Sequence, residues 1–400
     1  MSRPATRAAT GPIAAAGRSL PPDLARGMML LIIAVVHAYL FAFPFLPGTG
    51  HTADLGAADT VTSSLVTLFA ESRGYPMFAA LFGYGLVMVA RRQDATNGAR
   101  AARRLLRRRG GWLIAFGFLH VVLLYAGDIL TAYGILALAF AGAPRWTPRR
   151  ILTTAALLGG AGALLYSAGM LGMTALAGSA GIPAPDSLPA DVAGRATAWP
   201  IMAVLLALTS IAPVLIGVWA AQQRIMEQPE QHRALLRRTA AIGIPVAVLG
   251  GVPQVLIITG AIADPGTWAT SAFFVLHLFT GYAGGFGYAA LIALVAARLV
   301  RRPAGPGRIA TALAACGQWS MTCYLLQSVA WFVLFYAYTL DLTRFLNVTA
   351  AVLVGVAVWL ATVVVADLGH RAGRRGPAEA LLRRLTYGAP AGAPPVTAGR

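Results

Sequence analysis

Lysine is absent from this 400-residue chain, so its 32 basic residues are all arginine. Acidic residues number only 14, and there are only two cysteines. Charged residues make up 12% of the sequence and hydrophobic residues 58%, with a mean hydropathy of +0.68. A water-soluble domain cannot build a polar shell from this composition. The scarcity of charge therefore predicts a polytopic membrane protein.

Several catalytic motifs are also missing. The sequence has no Walker loop, no G-x-G-x-x-G fingerprint after a strand, no H-E-x-x-H and no C-x-x-C, so nucleotide hydrolysis and the common metal chemistries are not expected. Cys316 and Cys323 are seven residues apart in one apolar segment. On a helix they would lie about 10 Å apart along the axis, which excludes a disulfide between them.

The apolar segments predict an all-α fold, a polytopic transmembrane helix bundle of about ten spans. A further segment, 61–71, is moderately apolar and is predicted to be an interfacial or re-entrant helix on the outer side. The predicted spans are 27–46, 75–90, 110–126, 129–143, 151–178, 198–221, 239–262, 268–297, 309–336 and 347–370.

Arginine placement orients these spans. Only Arg73, Arg195 and Arg344 fall in connections on one side, and the other arginines occupy the opposite side. Because basic loops are retained in the cytoplasm, both termini are predicted to be cytoplasmic. The positive charge is explained by arginines in the cytoplasmic connections. We therefore expect the lipid bilayer as a partner and no nucleic acid.

The chain is predicted to divide into two five-span halves. A segment rich in Pro, Ala and Gly separates them and is predicted to be an extracytoplasmic linker. Both ends of the chain are expected to be disordered tails. The predicted divisions are 1–22 (tail), 23–178 (first half), 179–197 (linker), 198–388 (second half) and 389–400 (tail).

Three histidines, His37, His120 and His277, are each about ten residues into a predicted span. At 1.5 Å per residue they lie about 15 Å deep, near the bilayer midplane. Each could be a neutral imidazole bonded to a neighbouring helix. Their shared depth favours a buried polar site instead.

Asp128 follows the span of His120 and is predicted near the outer face. It could cap the next helix, or it could orient a histidine or bind a substrate hydroxyl, and these roles can coexist. Asp23 precedes the first span with the same ambiguity. Glu71 and Arg73 are predicted near the outer interface.

The arginines between 91 and 109 have two readings. They are anchors of the cytoplasmic side, or they attract a cytoplasmic ligand that carries phosphate groups, which guanidinium groups bind well. The members considered for the second role are Arg103, Arg104, Arg107 and Arg108.

Five stretches carry a resemblance to a known family: DLARG, RGYPMFAALFGYG, the segment 103–134, GQWSMTCYLLQS and GPAEALLRRLTYG. In this order and spacing the chain resembles the YeiB-like family, the domain of unknown function 418. Its first span is similar to the DxxRG opening of membrane acyltransferases, including acyltransferase-3 proteins and heparan glucosaminide acetyltransferase. The positions that match this opening are Asp23, Arg26 and Gly27.

The resemblance implies a bacterial cytoplasmic (inner) membrane protein in which an acyl-CoA donor approaches from the cytoplasm. A histidine would act as the base that activates a hydroxyl or amine of a glycan, lipid or small metabolite. His37 stands where YeiB-like proteins commonly carry asparagine, and Arg73 replaces a usual lysine, which keeps the charge and changes its geometry.

These arguments favour a membrane acyltransferase, with a transporter of a small metabolite as the alternative. Acyl-CoA is the expected donor and no metal is expected. The candidate catalytic residues are His120, His37 and Asp128; the candidate donor-binding residues are Arg26, Arg103, Arg104, Arg107 and Arg108; the candidate acceptor-binding residues are Arg73, Glu71, His277 and Gln327.

Overall fold

The computed structural model describes residues 19–42, 55–177, 187–263 and 265–388. All regular structure in these ranges is helical, which confirms the predicted fold class. The α-helices are α1 (Leu20–Ala42), α2 (Ala57–Phe69), α3 (Gly74–Leu123), α4 (Leu130–Ala139), α5 (Pro148–Ala177), α6 (Leu188–Gln222), α7 (Arg233–Ile258), α8 (Gly266–Val300), α9 (Gly307–Gln318), α10 (Ser320–Phe335), α11 (Val348–Arg371) and α12 (Pro377–Tyr387). Of the predicted tails 1–22 and 389–400, residues 1–18 and 389–400 lie outside the described residues, whereas α1 begins at Leu20, inside the first predicted tail.

Six of these helices, α1, α5, α6, α7, α8 and α11, are long and apolar enough to cross a membrane. The pair α9 and α10 would make a seventh span, although the two helices are bent by 82°. The other predicted spans correspond to α3 and to α4, whose ten residues are about 15 Å long. Ten spans and two cytoplasmic termini therefore stay predictions.

Helix α3 is interrupted at Gly98. Its 50 residues would extend about 75 Å if straight, but Gly98 has φ 77° and ψ 174°, outside the helical region. Residues on both sides of Gly98, including Leu81 and Leu113, line one cavity. The chain therefore reverses at Gly98 and forms a first arm (74–97) and a second arm (99–123), as the two predicted spans require.

The predicted span 309–336 is broken at Trp319, between α9 and α10. Just before the break, the backbone of α9 lies against α1 with no room for side chains. A Cβ added at Gly27 would lie 2.0 Å from the carbonyl oxygen of Leu313, and one added at Gly317 would lie 1.8 Å from that of Asp23. Glycine is therefore required in both the DLARG and the GQWS motif.

Helices of the two predicted halves pack directly on each other. The first arm of α3 lies against α6, where a Cβ added at Gly83 would lie 2.0 Å from the carbonyl oxygen of Val214. Helix α6 begins at Leu188, inside the segment predicted as a linker. The division into halves stays a prediction, and its linker is partly helical.

Replacing Gly27 by alanine should destabilise the fold, because the new methyl group overlaps backbone atoms that cannot rotate away. We expect a loss of about 1–3 kcal/mol in the free energy of unfolding, measured as a lower midpoint of thermal unfolding in detergent. Gly111→Ala is the control, since a Cβ there meets nothing within 4 Å. Equal midpoints for the two variants would contradict the close contact of α1 and α9.

Candidate functional site

A cavity of about 370 Å³ lies between α1, both arms of α3, the break between α9 and α10, and α12. Its charged groups belong to the side of the bundle that carries the arginine-rich connections. Its inner wall includes the rings of Tyr133 and Tyr324. The charged lining residues are Asp23, Arg26, Arg92, Arg109, Glu227, Arg375, Glu379 and Arg383.

The cavity wall carries polar groups that the rest of the described chain does not satisfy. Asp23 Oδ2, Arg92 Nη1, Tyr133 Oη and Thr386 Oγ1 are buried atoms with no hydrogen-bond partner among the described residues. Arg26 is held in place by Asp23 Oδ1 at 3.2 Å and by the carbonyl oxygen of Leu81 at 3.3 Å. Buried polar groups are nearly always bonded, so this wall fits a polar ligand.

The tail helix α12 closes one side of the cavity through Glu379. Its carboxylate accepts the backbone N–H groups of Met321 at 2.7 Å and Thr322 at 3.1 Å, and the Thr322 hydroxyl at 2.6 Å. The same hydroxyl accepts the N–H of Ala378. The first amides of a helix lack partners within it and favour negative charge, so the two helix N-termini cap each other.

Next to the inner wall, the second arm of α3 places His120 between two oxygen atoms. His120 Nδ1 lies 3.0 Å from Asp128 Oδ1, and Nε2 lies 2.8 Å from Ser328 Oγ on α10. Asp128 also accepts the N–H groups of Leu130 and Thr131 at the start of α4. Asp128 therefore caps a helix and orients a histidine, the two roles that the sequence left open.

This bonding pattern fixes the tautomer. The Asp128 carboxylate accepts a hydrogen bond, so Nδ1 of a neutral imidazole carries the proton and donates it to this bond. Nε2 is then the acceptor for the Ser328 hydroxyl. Asp128 and His120 are almost completely buried, and Ser328 is 0% exposed. The arrangement has the connectivity that activates a serine nucleophile in many hydrolases and transferases.

His37 lies close to the same group of side chains. Its ring centroid is 4.7 Å from that of Tyr125 and 6.5 Å from that of Tyr324, while Tyr324 is 5.1 Å from His120. The Nδ1 atom of His37 is buried without a partner among the described residues. Tyr324 thus separates the cavity from both imidazoles, and its hydroxyl donates to the carbonyl oxygen of Gly127 at 2.8 Å.

His277 does not join this group, and the expected meeting of three histidines is wrong in that respect. It faces Arg73 Nη1 at 3.0 Å, and its Nε2 lies 4.0 Å from Glu71 Oε2. The position of a residue along a span does not show which side of the helix it faces. The sequence therefore could not show that His277 lies apart from His37 and His120. Burial raises the pKa of the Glu71 carboxyl, in the turn before α3, to about 6, against the opposing charge of Arg73.

Arg73 is 0% exposed. Its guanidinium donates to the carbonyl oxygens of Glu71 and Ala247, each at 2.5 Å. The glycines of α8 make room for Arg73. A Cβ added at Gly284 would lie 3.0 Å from Arg73 Cγ, and a Cβ added at Gly285 would lie 2.8 Å from the carbonyl oxygen of Arg73. The glycines of α8 therefore permit close packing against Arg73.

Comparison with known proteins finds a matching family model and similar proteins. The family model described as "Protein of unknown function (DUF418)" matches residues 220–389. The Bacillus subtilis (strain 168) protein named "Uncharacterized protein YxaH" is 26% identical over 415 residues, covering 91% of this chain and 93% of the relative. "Uncharacterized protein YeiB" of Escherichia coli (strain K12) is 26% identical over 408 residues, covering 92% and 96%.

The chain is similar to the YeiB-like DUF418 family, which confirms the resemblance seen in its motifs. No solved structure matches this chain.

The expected donor-binding arginines divide into two groups. Arg26 lines the cavity. Four others are exposed on the second arm of α3 and are absent from the cavity wall, namely Arg103, Arg104, Arg107 and Arg108. Arg109, which the sequence argument passed over, lines it instead. It shares a helix face with the buried residues Ala102, Leu106 and Leu113, a spacing that was readable in the sequence.

Sequence reasoning also missed Ser328, Glu379 and Tyr324 as site residues. All three lie in motifs that were noted only for family resemblance, and serine and tyrosine within a span give no charge signal. Gln327 was a candidate for acceptor binding. It is wholly buried, with Nε2 3.4 Å from the carbonyl oxygen of Leu30 and Oε1 without a partner among the described residues.

Removing the Glu379 carboxylate should loosen α12. We expect Glu379→Ala to raise amide hydrogen exchange at least about tenfold in residues 377–387 and at the first amides of α10, because a bond to a charged group contributes about 1.5–3 kcal/mol. Hydrogen–deuterium exchange with mass spectrometry measures this in detergent. Glu230→Ala removes an exposed ion pair with Arg301 and serves as the control. Unchanged exchange in Glu379→Ala would show that α12 is held by other contacts.

Proposed function

We propose that this protein is an integral membrane acyltransferase. It transfers an acyl group from acyl-CoA on the arginine-rich side to a hydroxyl or amine of an envelope glycan, lipid or small metabolite. The observation that carries the proposal is the position of the cavity. It opens among arginines and ends at Tyr324, directly against the imidazole that Asp128 orients.

The chemistry of the cavity suits the donor. Its volume of about 370 Å³ is within the range of small-molecule sites. Guanidinium groups bind phosphate oxygens in a bidentate manner, and five arginines line the wall against three carboxylates, one of which, Glu379, is engaged by α10. The apolar residues farther in, such as Phe82 and Leu113, suit the arm that carries a thioester.

His120 supplies the base. General-base catalysis needs a neutral imidazole with a free lone pair at hydrogen-bond distance from the proton it removes. Asp128 holds the tautomer that leaves the lone pair on Nε2. Arg73 is left out of the acceptor site, because its guanidinium is engaged by two backbone carbonyls and His277.

A transporter of a small metabolite is the second candidate, and the broken helix pair favours it. Transporters often bind substrates where a helix is interrupted and the N-terminus of the second part faces an anion. Here the break between α9 and α10 borders the cavity, and the N-terminus of α10 already holds the carboxylate of Glu379.

Purified protein in liposomes should transfer label from radiolabelled acetyl-CoA to an envelope extract. His120→Ala should lower the rate by about 10²- to 10⁴-fold, the usual contribution of a general base. His232→Ala is the control, since His232 precedes α7 and its side chain makes no cap bond there. Uptake of a solute into the liposomes without transfer of label would favour the transporter and contradict the enzyme.

Two adjacent arginines test the donor site. We expect Arg109→Gln to raise the KM for acetyl-CoA about tenfold or more, because Arg109 lines the cavity, and Arg108→Gln to leave it within about twofold, because Arg108 is exposed. Initial rates at varied acetyl-CoA concentration give both values. If the two variants behaved alike, the arginines would act only through general attraction, and the cavity would not be the donor site.

A further inference from the structure

Ser328 is the hydroxyl that His120 contacts in this structure. It lies on α10 one turn after Tyr324, and its Oγ is 2.8 Å from His120 Nε2. The other imidazole nitrogen is bonded to Asp128. With both nitrogens engaged, an external acceptor cannot reach His120 unless Ser328 moves away. The hydroxyl that this imidazole is placed to deprotonate is therefore Ser328.

Serine in a helix often makes a bond that needs no function. Ser328 Oγ also lies 3.2 Å from the carbonyl oxygen of Tyr324, the ordinary contact with the residue four positions before it. If the hydroxyl donated its proton there, Nε2 would have to carry a proton of its own. A neutral imidazole would then present a bare nitrogen to the Asp128 carboxylate, which is unfavourable. The shorter contact to His120 is thus the one in which Ser328 donates.

We propose that Ser328 carries the acyl group as a covalent ester between donor and acceptor, a step that rests on the acyltransferase function proposed above. In the first half, Ser328 Oγ attacks the thioester carbonyl while its proton passes to His120 Nε2. The carbon–sulfur bond breaks, and the thiol leaves with that proton. Ser328 is then an ester and the donor is free CoA.

In the second half, the acceptor hydroxyl or amine gives a proton to His120 Nε2 and attacks the ester carbonyl. The carbon–Oγ bond breaks, and the proton returns from Nε2 to Ser328. No electrons are gained or lost by the protein in either half, and the serine, imidazole and carboxylate end in their starting states. The connectivity of Asp128, His120 and Ser328 is the one that such acyl-enzyme chemistry uses.

Tyr324 governs access to Ser328. Its ring is part of the cavity wall and lies 5.1 Å from the ring of His120. One hydrogen bond, from its hydroxyl to the carbonyl oxygen of Gly127, fixes that end of the side chain. Ser328 itself is buried and does not line the cavity. The proposed attack on a thioester that enters from the cavity therefore requires the Tyr324 side chain to move aside.

The test is to trap the ester without an acceptor. Purified protein in detergent is incubated with radiolabelled acetyl-CoA and, in parallel, palmitoyl-CoA, quenched in acid and analysed by intact mass and peptide mapping. We expect wild type to gain one acyl group on the peptide that contains Ser328. Alkaline hydroxylamine should remove it and neutral hydroxylamine should not, because an oxygen ester is more stable than a thioester. Ser328→Ala should carry no label and lose at least about 100-fold in transfer rate, whereas Ser328→Cys should still be labelled, as a thioester.

Ser167→Ala is the matched control. Ser167 is a buried helical serine whose hydroxyl bonds the residue four positions before it, Ala163, and no histidine contacts it among the described residues. This variant should keep label and activity. The wild-type label and its removal by hydroxylamine do not depend on the folding of any variant. They therefore test the ester on Ser328 even if Ser328→Ala aggregates.

The alternatives give different results. Acyl transfer by wild type and Ser328→Ala at similar rates, with no label on the enzyme, would overturn the covalent step and leave the acyltransferase function standing. Label at another residue would also overturn it. If wild type showed neither label nor transfer, both the serine ester and the proposed acyltransferase function would be overturned.

Discussion

The backbone contact between Gly27 of α1 and Gly317 of α9 sets the geometry of the whole site. With added side chains blocked at 2.0 and 1.8 Å from carbonyl oxygens, the two helices cross as closely as backbones allow, as small residues permit in membranes. Helix α9 ends beside this crossing, and α10 leaves at 82°. The crossing also places Asp23 and Arg26 in the same cavity wall as the start of α10, so the arrangement of this wall depends on one contact.

The buried charged groups of the site are also held by specific partners. An ionised group far from water is costly unless it is paired, and each deeply buried carboxylate or guanidinium of the site has partners on another helix or at a helix end. Asp128 binds two amides and an imidazole, Glu379 binds two amides and a hydroxyl, and Arg73 binds two carbonyls. Among the buried polar atoms without a partner in the described residues, Asp23 Oδ2, Arg92 Nη1, Tyr133 Oη and Thr386 Oγ1 belong to the cavity wall, where a ligand would satisfy them.

Much of the fold could be read from hydropathy, because lipid requires long apolar helices and arginine marks their ends. The predicted spans 151–178 and 347–370 correspond closely to α5 and α11. The break at Trp319 escaped notice because GQWS contains no proline and only one glycine, whose role depends on a helix some 290 residues away. His37 and His120 both lie near Tyr324 whereas His277 contacts Arg73, a difference that depth along a span could not predict. The pairing of His120 with Ser328 depends on a contact between α3 and α10 that periodicity cannot supply.

The cap that Glu379 places on α10 has a consequence for how the protein is made. Helix α12 is the last helix of the described chain, and it contributes Glu379, Leu382, Arg383 and Thr386 to the cavity wall. While the ribosome is still elongating, the amides of α10 are without this carboxylate and the cavity lacks one side. The nascent chain therefore reaches a state competent for ligand only after α12 has been synthesised, later than α1 to α11.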